Sequence, residues 1–133
     1  MEPSTKKILV ADDEPPVVQI IRANLELEGY QVVTAYDGVQ ALEKAKAEQP
    51  DLLILDIMMP RMDGFDVLDA LKEDARTENL PVIMLTALNE IDHMDRAARK
   101  GSYCYLTKPF EPMELLMIVR RLLTALEEEQ LTV

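Results

Sequence analysis

Five polar side chains lie directly after apolar runs of strand type in this sequence. They are Asp12 and Asp13 after the first run, Asp56 after the third, Thr86 after the fourth and Lys108 after the fifth. Clustered carboxylates repel one another and raise one another's pKa unless a cation lies among them. Magnesium suits such a cluster because it takes oxygen ligands, uses one or two carboxylates and binds phosphate oxygens. Singly, each residue is explained as a helix cap, a turn hydroxyl or a solvated charge, but jointly they favour a cation site.

The elements that must position these residues follow from the spacing of apolar side chains. Short apolar runs predict five strands: Ile8–Ala11, Gln31–Ala35, Leu52–Leu55, Pro81–Leu85 and Tyr103–Leu106. Helical spacing predicts five helices: Pro15 to Gly29, Asp37-Gly38 to Pro50, Asp63-Gly64 to Glu73, Asn89 to Gly101, and Met113 to Leu126 with fraying at Glu127–Glu129. Strands that alternate with helices predict a parallel sheet covered on both faces. The carboxyl edge of such a sheet, where ligands bind, would gather the five polar residues.

Composition narrows the class of protein. The 133 residues and 48% hydrophobic content fit one domain with one core. The formal charge of −11 argues against nucleic acid or anionic lipid as a direct partner, and cations or basic protein patches fit it better. The single cysteine, Cys104, lies in an apolar run and is expected to be a buried, reduced thiol. The first apolar stretch is too short for a signal peptide and no run approaches a membrane span, so a cytoplasmic protein is expected.

Nucleotide-binding folds are the main alternatives for a sheet of this kind. A Rossmann domain or a P-loop domain needs a glycine-rich loop after the first strand. The sequence has four glycines, and none of them is in that loop.

Four motifs, in order, carry a resemblance to a known family. They are DDE at Asp12–Glu14, LDIMMPRMDG at Leu55–Gly64, LTA at Leu85–Ala87 and GSYCYLTKPF at Gly101–Phe110. Together they resemble a response-regulator receiver domain of two-component signalling, over nearly the whole chain. The resemblance implies an α/β domain with a flavodoxin-like, doubly wound, five-stranded parallel sheet of strand order 2-1-3-4-5. We assign the receiver domain to residues 1–127 and an acidic C-terminal tail to residues 128–133.

The resemblance implies a function and a magnesium site. Asp56 would accept a phosphoryl group from a histidine kinase or a histidine phosphotransfer protein. The Asp13 and Asp56 side chains and the Met58 backbone carbonyl would bind Mg²⁺, and Asp12 would help through a water molecule. The chain would then be a signalling domain rather than an enzyme, although it would assist its own phosphorylation and slow dephosphorylation.

The remaining implied roles concern the phosphoryl group and the switch. Thr86 and Lys108 would hold the phosphoryl oxygens, and Tyr105 would swing inward on activation. A cis peptide bond is implied between Lys108 and Pro109, which fits the tolerance of X-Pro bonds for cis. Phosphorylation would change the face formed by the fourth helix, fifth strand and fifth helix, through which an output protein or domain binds.

The family often has an alanine and then acids where this chain has Ser102, Tyr103 and Cys104. In the winged-helix transcription factors of the family an acid in that strand helps to form the active dimer, so the resemblance does not extend to that mode of dimerisation. A domain trimmed from a longer DNA-binding regulator is an alternative. A magnesium-dependent phosphatase with an aspartyl nucleophile would carry a second aspartate at position 58, where this chain has methionine. A receiver that only binds partners would lack an acceptor or metal carboxylate, and none is missing.

Two further expectations concern lifetime and partners. Met58 and Leu88 flank the predicted site, are apolar and are bulky enough to exclude an attacking water, so dephosphorylation would be slow. The small Ala87 would leave the phosphoryl group room to enter. Met113, Leu116 and Met117 give the last helix more apolar surface than packing on the sheet requires. That surplus would serve a homodimer or a foreign partner, or would simply pack on the sheet.

Overall fold

The computed structural model describes residues 5–87 and 104–131, and it contains all five predicted strands. The strands are β1 (Lys7–Ala11), β2 (Gln31–Ala35), β3 (Leu52–Asp56), β4 (Val82–Ala87) and β5 (Cys104–Lys108). The helices are α1 (Pro15–Leu27), α2 (Gly38–Glu48), α3 (Gly64–Lys72) and a C-terminal helix (Pro112–Leu131). The helix predicted from Asn89 to Gly101, and the start of the last predicted strand at Tyr103, lie outside the described residues.

The five strands form one parallel sheet in the order β2-β1-β3-β4-β5. This order confirms the predicted flavodoxin-like, doubly wound fold. The register places Ala11 beside Leu55 and Asp56 beside Leu85, so β1, β3 and β4 end close to one level. Because the strands are parallel, the residues after their carboxyl ends meet at one edge of the sheet.

Two apolar layers cover the sheet, one on each face. Alternate residues of β3 point to opposite layers: Leu53 and Leu55 to one, Leu52 and Ile54 to the other. The first layer is completed by α2 and α3, with Phe65 as its largest fully buried side chain. The second layer is completed by α1 and the C-terminal helix. Every residue of β3 is therefore buried, which explains its unbroken apolar sequence.

Short polar side chains set where α2 and α3 begin. Asp37 accepts a hydrogen bond of 2.8 Å from the Gln40 backbone N–H at the start of α2. Asp63 and Asp66 form a reciprocal capping box at the start of α3. Each cap therefore fixes the residue at which the connection from β2 or β3 ends and the helix begins.

The C-terminal helix corrects two expectations. It does not fray at Glu127–Glu129 but continues to Leu131. Glutamate is a good helix former, and Glu127 lies 3.7 Å from the Lys6 ammonium, which offsets its unfavourable position near the helix end. Leu116 does not belong to an exposed surplus face, because it is buried with Val119 in the core, whereas Met113 and Met117 are exposed.

Cys104 is half-buried rather than buried, because β5 is an edge strand with one neighbour. Its thiol packs against the layer formed by α1 and the C-terminal helix. Burial nevertheless raises the pKa of the Cys104 thiol. In the described parts of the chain, no helix combines the length and apolar content needed to cross a bilayer.

Candidate functional site

Three carboxylates meet at the carboxyl edge of the sheet. Asp12 follows β1, Asp56 ends β3, and the two strands are hydrogen-bonded neighbours. Asp12 and Asp56 are buried, while Asp13 is exposed. One oxygen from each of Asp12, Asp13 and Asp56 lies within 4.8 Å of the other two. The sequence prediction that these acids come together is confirmed.

Lys108 supplies the positive charge of this edge. Its Nζ lies 2.7 Å from Asp12 Oδ2 and 3.3 Å from Asp56 Oδ2. It also lies 3.5 Å from Glu14 Oε2, a carboxylate to which the sequence had given no role. The Lys108 side chain is 21% exposed, so much of its charge is balanced by these acids rather than by water.

Burial and charge shift the pKa values of the central pair. Burial raises the pKa of Asp56, and the Asp12 carboxylate raises it further, although Lys108 and the Met58 N–H act in the opposite direction; the result is about 7. Burial opposes the charge of Lys108, but its contacts with Asp12 and Asp56 outweigh burial and raise the pKa of the Lys108 ammonium. The edge therefore holds excess negative charge that an added cation would stabilise.

Backbone amides orient the two buried carboxylates. The Glu14 N–H donates to Asp12 Oδ1 at 2.9 Å, and the Met58 N–H donates to Asp56 Oδ1 at 3.2 Å. Two carboxylates are thus fixed and a third, Asp13, stands exposed beside them. Hard oxygen donors with incomplete charge balance fit a divalent cation of the magnesium type. The residues present therefore fit the metal that the sequence predicted.

The segment between β3 and α3 is closed tightly around the end of β3. The Gly64 N–H donates to the Ile57 carbonyl at 2.8 Å. A Cβ on Gly64 would lie 2.7 Å from the Asp56 carbonyl oxygen, so only glycine allows this approach. The segment from Ile57 to Asp63, called here the β3–α3 loop, is therefore closed by contacts between the residues at its two ends.

The β3–α3 loop is also fastened to α2. Arg61 Nη2 donates to Asp37 Oδ2 at 2.8 Å, while the other Asp37 oxygen caps α2. A Cβ on Gly38 would lie 1.9 Å from the Met62 carbonyl oxygen, so the loop backbone rests directly on the start of α2. Sequence reasoning assigned no site role to Arg61, Gly38 or Gly64. The two Asp-Gly pairs, at positions 37–38 and 63–64, were the available signal.

The other predicted site residues take these positions. Thr86 is buried at the end of β4, one residue beyond the level of Asp56, and its hydroxyl donates to the Ala87 carbonyl at 3.4 Å. Tyr105 is 45% exposed on β5, and Met58 is 56% exposed in the β3–α3 loop. The Lys108–Pro109 bond is cis, as expected. Leu88 lies outside the described residues.

An apolar cleft of about 420 Å³ lies beside Lys108. Its walls come from α1 and from the residues that follow β5: Val17, Ile20, Ile21, Pro109, Phe110 and Pro112. Ile20 is 53% exposed at this cleft, which is a large exposed fraction for an isoleucine. An apolar surface thus borders the charged edge of the sheet.

Comparison with known proteins gives one family over most of the chain. The sequence model of the response regulator receiver domain matches residues 8–120. The DNA-binding dual master transcriptional regulator RpaA of Synechocystis is 44% identical over 117 residues, which cover 88% of this chain and 48% of that protein. The alkaline phosphatase synthesis transcriptional regulatory protein PhoP of Bacillus subtilis is 43% identical over 118 residues, or 89% and 48%. The chain spans about half the length of these curated relatives.

Solved structures agree with the sequence comparison. A putative response regulator from Chloroflexus aurantiacus superposes with a TM-score of 0.86 at 33% identity, covering 91% of this chain and 99% of that one. NtrX from Brucella abortus gives a TM-score of 0.88 at 31% identity, covering 96% of this chain and 28% of that one.

Proposed function

Because the chain belongs to the response regulator receiver domain family, we propose that Asp56 is its phosphoacceptor. The phosphoryl group comes from a phosphohistidine of a histidine kinase or a histidine phosphotransfer protein. Mg²⁺ binds beside Asp56, and phosphorylation changes the surface that the output partner reads. The family is a signalling family, and we propose that this chain is not an enzyme beyond assisting its own phosphorylation and dephosphorylation.

The observation that carries this proposal is the cluster of Asp12, Asp13 and Asp56 with Lys108 against it. Among the described residues, this cluster combines an oriented carboxylate, further metal-type oxygens and a fixed ammonium within a few ångströms. A carboxylate is a weak nucleophile, so attack on phosphorus requires that charge on the transferring oxygens be neutralised.

The step itself is a displacement at phosphorus. An Asp56 Oδ forms the new O–P bond while the P–N bond to the donor histidine breaks, and the imidazole leaves with the bonding electron pair and takes up a proton. Lys108 binds one phosphoryl oxygen and Thr86 donates its hydroxyl to another. Asp56 needs no general base, because its carboxylate attacks directly.

Mg²⁺ would be held by the side chains of Asp13 and Asp56 and by the Met58 carbonyl, with Asp12 acting through water, and would neutralise charge on the phosphoryl oxygens. The chain contributes the orientation of these groups. The Met58 N–H fixes the Asp56 carboxylate, and the Glu14 N–H fixes Asp12.

Phosphorylation of the intact chain tests the acceptor. With Mg²⁺ and acetyl phosphate, mass spectrometry should find one added phosphoryl group on Asp56 of the wild type. Asp56→Asn should gain none. Asp51→Asn, which removes the same charge before β3 at the opposite edge of the sheet, should label like the wild type. Equal phosphate uptake by Asp56→Asn and the wild type would reject the assignment.

Titration calorimetry tests the metal site separately. We expect Asp13→Ala to weaken Mg²⁺ binding by about tenfold or more, because it removes a carboxylate ligand. Asp51→Asn serves again as the control for lost charge. Undiminished affinity in Asp13→Ala would exclude Asp13 as a ligand.

We propose that the phosphodonor docks on the apolar cleft beside Lys108. The cleft borders the charged edge, and its exposed Ile20 offers apolar area to a helix of the donor. Ile20→Glu should slow phosphotransfer from a purified kinase and leave labelling by acetyl phosphate unchanged. Equal slowing of both reactions would indicate damage to the site rather than to docking.

We also propose that the chain acts as the receiver part of a transcriptional regulator. The relatives RpaA and PhoP are transcriptional regulators by name, and the chain matches about half of each. The receiver takes in residues 1–127, and its boundary with the C-terminal tail of residues 128–133, which begins with two glutamates, falls within the C-terminal helix. Mapping the end of the gene would show whether a DNA-binding domain follows.

A further inference from the structure

We propose that Arg61 is a positioning residue for the cation site: its ion pair with Asp37 fastens the β3–α3 loop to α2 and thereby fixes the Met58 carbonyl. This inference rests on the proposed function, since the Met58 carbonyl matters only if a cation binds beside Asp56. It concerns a residue that touches neither the phosphoryl group nor the metal, and that acts through the backbone of the loop.

The backbone at Arg61 is the first observation. Its φ is +69°, in the left-handed region that glycine and asparagine adopt most easily. An arginine there is strained relative to either of those residues. The strained conformation persists only if other contacts determine it, and such contacts cluster where a precise backbone geometry is used.

The contact that offsets this strain is the ion pair with Asp37. The Arg61 guanidinium donates to Asp37 Oδ2 at 2.8 Å. Asp37 is only 13% exposed, and its other carboxylate oxygen is held by the Gln40 N–H. The aspartate is therefore a fixed anchor, which makes this pair stronger than one between two mobile surface side chains.

Two glycines allow further backbone contacts that hold the β3–α3 loop in place. Gly38 lets the Met62 carbonyl rest against the start of α2, and Gly64 lets the end of the loop lie against Asp56. Met58 stands between these fixed points, two residues from Asp56 and three from Arg61. Release of Arg61 would free the middle of the loop while leaving its two ends attached, so the Met58 carbonyl would lose its fixed direction.

The sign of the effect separates positioning from simple electrostatics. Arg61 carries a positive charge, so its removal would by charge alone strengthen the binding of a cation. If Arg61 positions the Met58 carbonyl, its removal must instead weaken binding. Loss of a residue that orients a metal ligand typically weakens metal affinity by about tenfold or more.

The test measures Mg²⁺ affinity by calorimetry and the free energy of unfolding for each variant. Arg61→Asn removes the guanidinium and keeps a residue that tolerates the left-handed backbone. Asp37→Asn keeps the helix cap and removes the charge, because asparagine caps as well as aspartate. Arg76→Asn is the matched control, since Arg76 is equally an exposed arginine paired with an aspartate, at 2.9 Å from Asp74 outside the site.

We expect Arg61→Asn and Asp37→Asn each to bind Mg²⁺ about tenfold more weakly than the wild type. The double variant should lose no more than either single variant, because one pair is broken in all three. Arg76→Asn should bind Mg²⁺ like the wild type. Initial rates of phosphorylation by acetyl phosphate at subsaturating Mg²⁺ should fall in parallel, and saturating Mg²⁺ should restore them.

Unchanged or stronger Mg²⁺ binding by Arg61→Asn would overturn the proposal, as would independent, multiplying losses in the double variant. If Arg61→Asn fails to fold, Asp37→Asn decides alone, with Asp51→Asn as its control for lost charge. A wild type that binds no Mg²⁺ would reject the proposed function, and this inference with it.

Discussion

Lys108 is the residue that balances the acidic edge of the sheet. It lies within 3.5 Å of three carboxylates, on Asp12, Glu14 and Asp56, and none of them belongs to its own strand. A cation that enters the cluster repels the ammonium and competes for the same oxygens. In the proposed site, Lys108 would thereby become available to a phosphoryl oxygen in the same event that brings in the metal. This one side chain would then couple the binding of metal to the binding of phosphate.

The raised pKa of Asp56 predicts that the site destabilises the fold at neutral pH. The folded protein keeps a proton on Asp56 up to a pKa of about 7, whereas the unfolded chain loses it near the ordinary 3.8. Folded molecules bind more protons in this window, so stability falls as pH rises through it. Without added metal, Asp56→Asn should be more stable than the wild type by about 1–3 kcal/mol at pH 8. This range is smaller than the full pKa shift would give, because Lys108 beside Asp56 is partly exposed and solvent screens its charge.

Chemical denaturation at several pH values in the presence of a chelator checks this. The advantage of Asp56→Asn should shrink steadily from pH 8 to pH 5. An advantage for Asp56→Asn that is constant over this range would mean that the ionisation of Asp56 is not its origin.

The lifetime of the phosphorylated state is predicted to be long. Met58 is apolar and exposed at the mouth of the site, where it offers an attacking water no hydrogen bond. Met58→Asn combined with Leu88→Glu should orient such a water and speed phosphate loss on the order of tenfold. The decay is followed by mass spectrometry after removal of the donor. If the double variant decays as slowly as the wild type, the lifetime is set elsewhere.

At the scale of elements, the connection between β3 and α3 depends on the start of α2. Gly38→Ala tests this dependence, because alanine in a helix ordinarily stabilises relative to glycine. Here a Cβ would lie 1.9 Å from the Met62 carbonyl, so the variant should instead lose about 1–3 kcal/mol and bind Mg²⁺ more weakly.

Gly29→Ala is the matched control for Gly38→Ala. Gly29 has a φ of +93° and no neighbour within 4 Å of a Cβ, so alanine there costs about 1 kcal/mol of backbone strain alone. Both variants are compared by denaturation and by calorimetric titration with Mg²⁺. Only Gly38→Ala should lose metal affinity, and equal affinity in the two variants would mean that the loop does not depend on α2.

The elements also mark the limit of what the sequence could predict. Unbroken apolar runs such as Leu52–Leu55 predicted buried strands, and the parallel order followed from alternation with helices and from the family resemblance. Asp12, Asp56 and Lys108 were found because each lies at the end of a strand or directly after it. Arg61 and Asp37 were not paired, since a contact across 24 residues between two loops leaves no periodic signal. The Lys6 ammonium that lies near Glu127 in the C-terminal helix is even more remote in sequence.

At the scale of the whole molecule, three exposed apolar side chains lie on β5 and the C-terminal helix. Tyr105, Met113 and Met117 are each at least 45% exposed. Such a face is typical of a surface for a partner or a second copy. We expect light scattering to show a shift towards dimer when beryllium fluoride, a phosphoryl mimic, is added with Mg²⁺.

Adding charge to this exposed apolar surface tests whether it forms the dimer. Met113→Glu with Met117→Glu should abolish the shift. Leu27→Glu, on α1 and 84% exposed in the wild type, should leave it intact. A monomer with and without the mimic, even at high concentration, would exclude self-association and leave binding of a different protein as the function of this face.

The single cysteine lies where its reaction with a thiol reagent can report a movement of β5 without any change to the sequence. Cys104 precedes the aromatic residue expected to move, and it is half-buried on the edge strand, so its accessibility follows the packing of β5. The raised pKa of its thiol means slow reaction with a thiol reagent at neutral pH. A change in the rate of this reaction would therefore follow the movement of β5 in solution. Every variant described above retains this thiol, so all can be compared with one label and without engineering a labelling site.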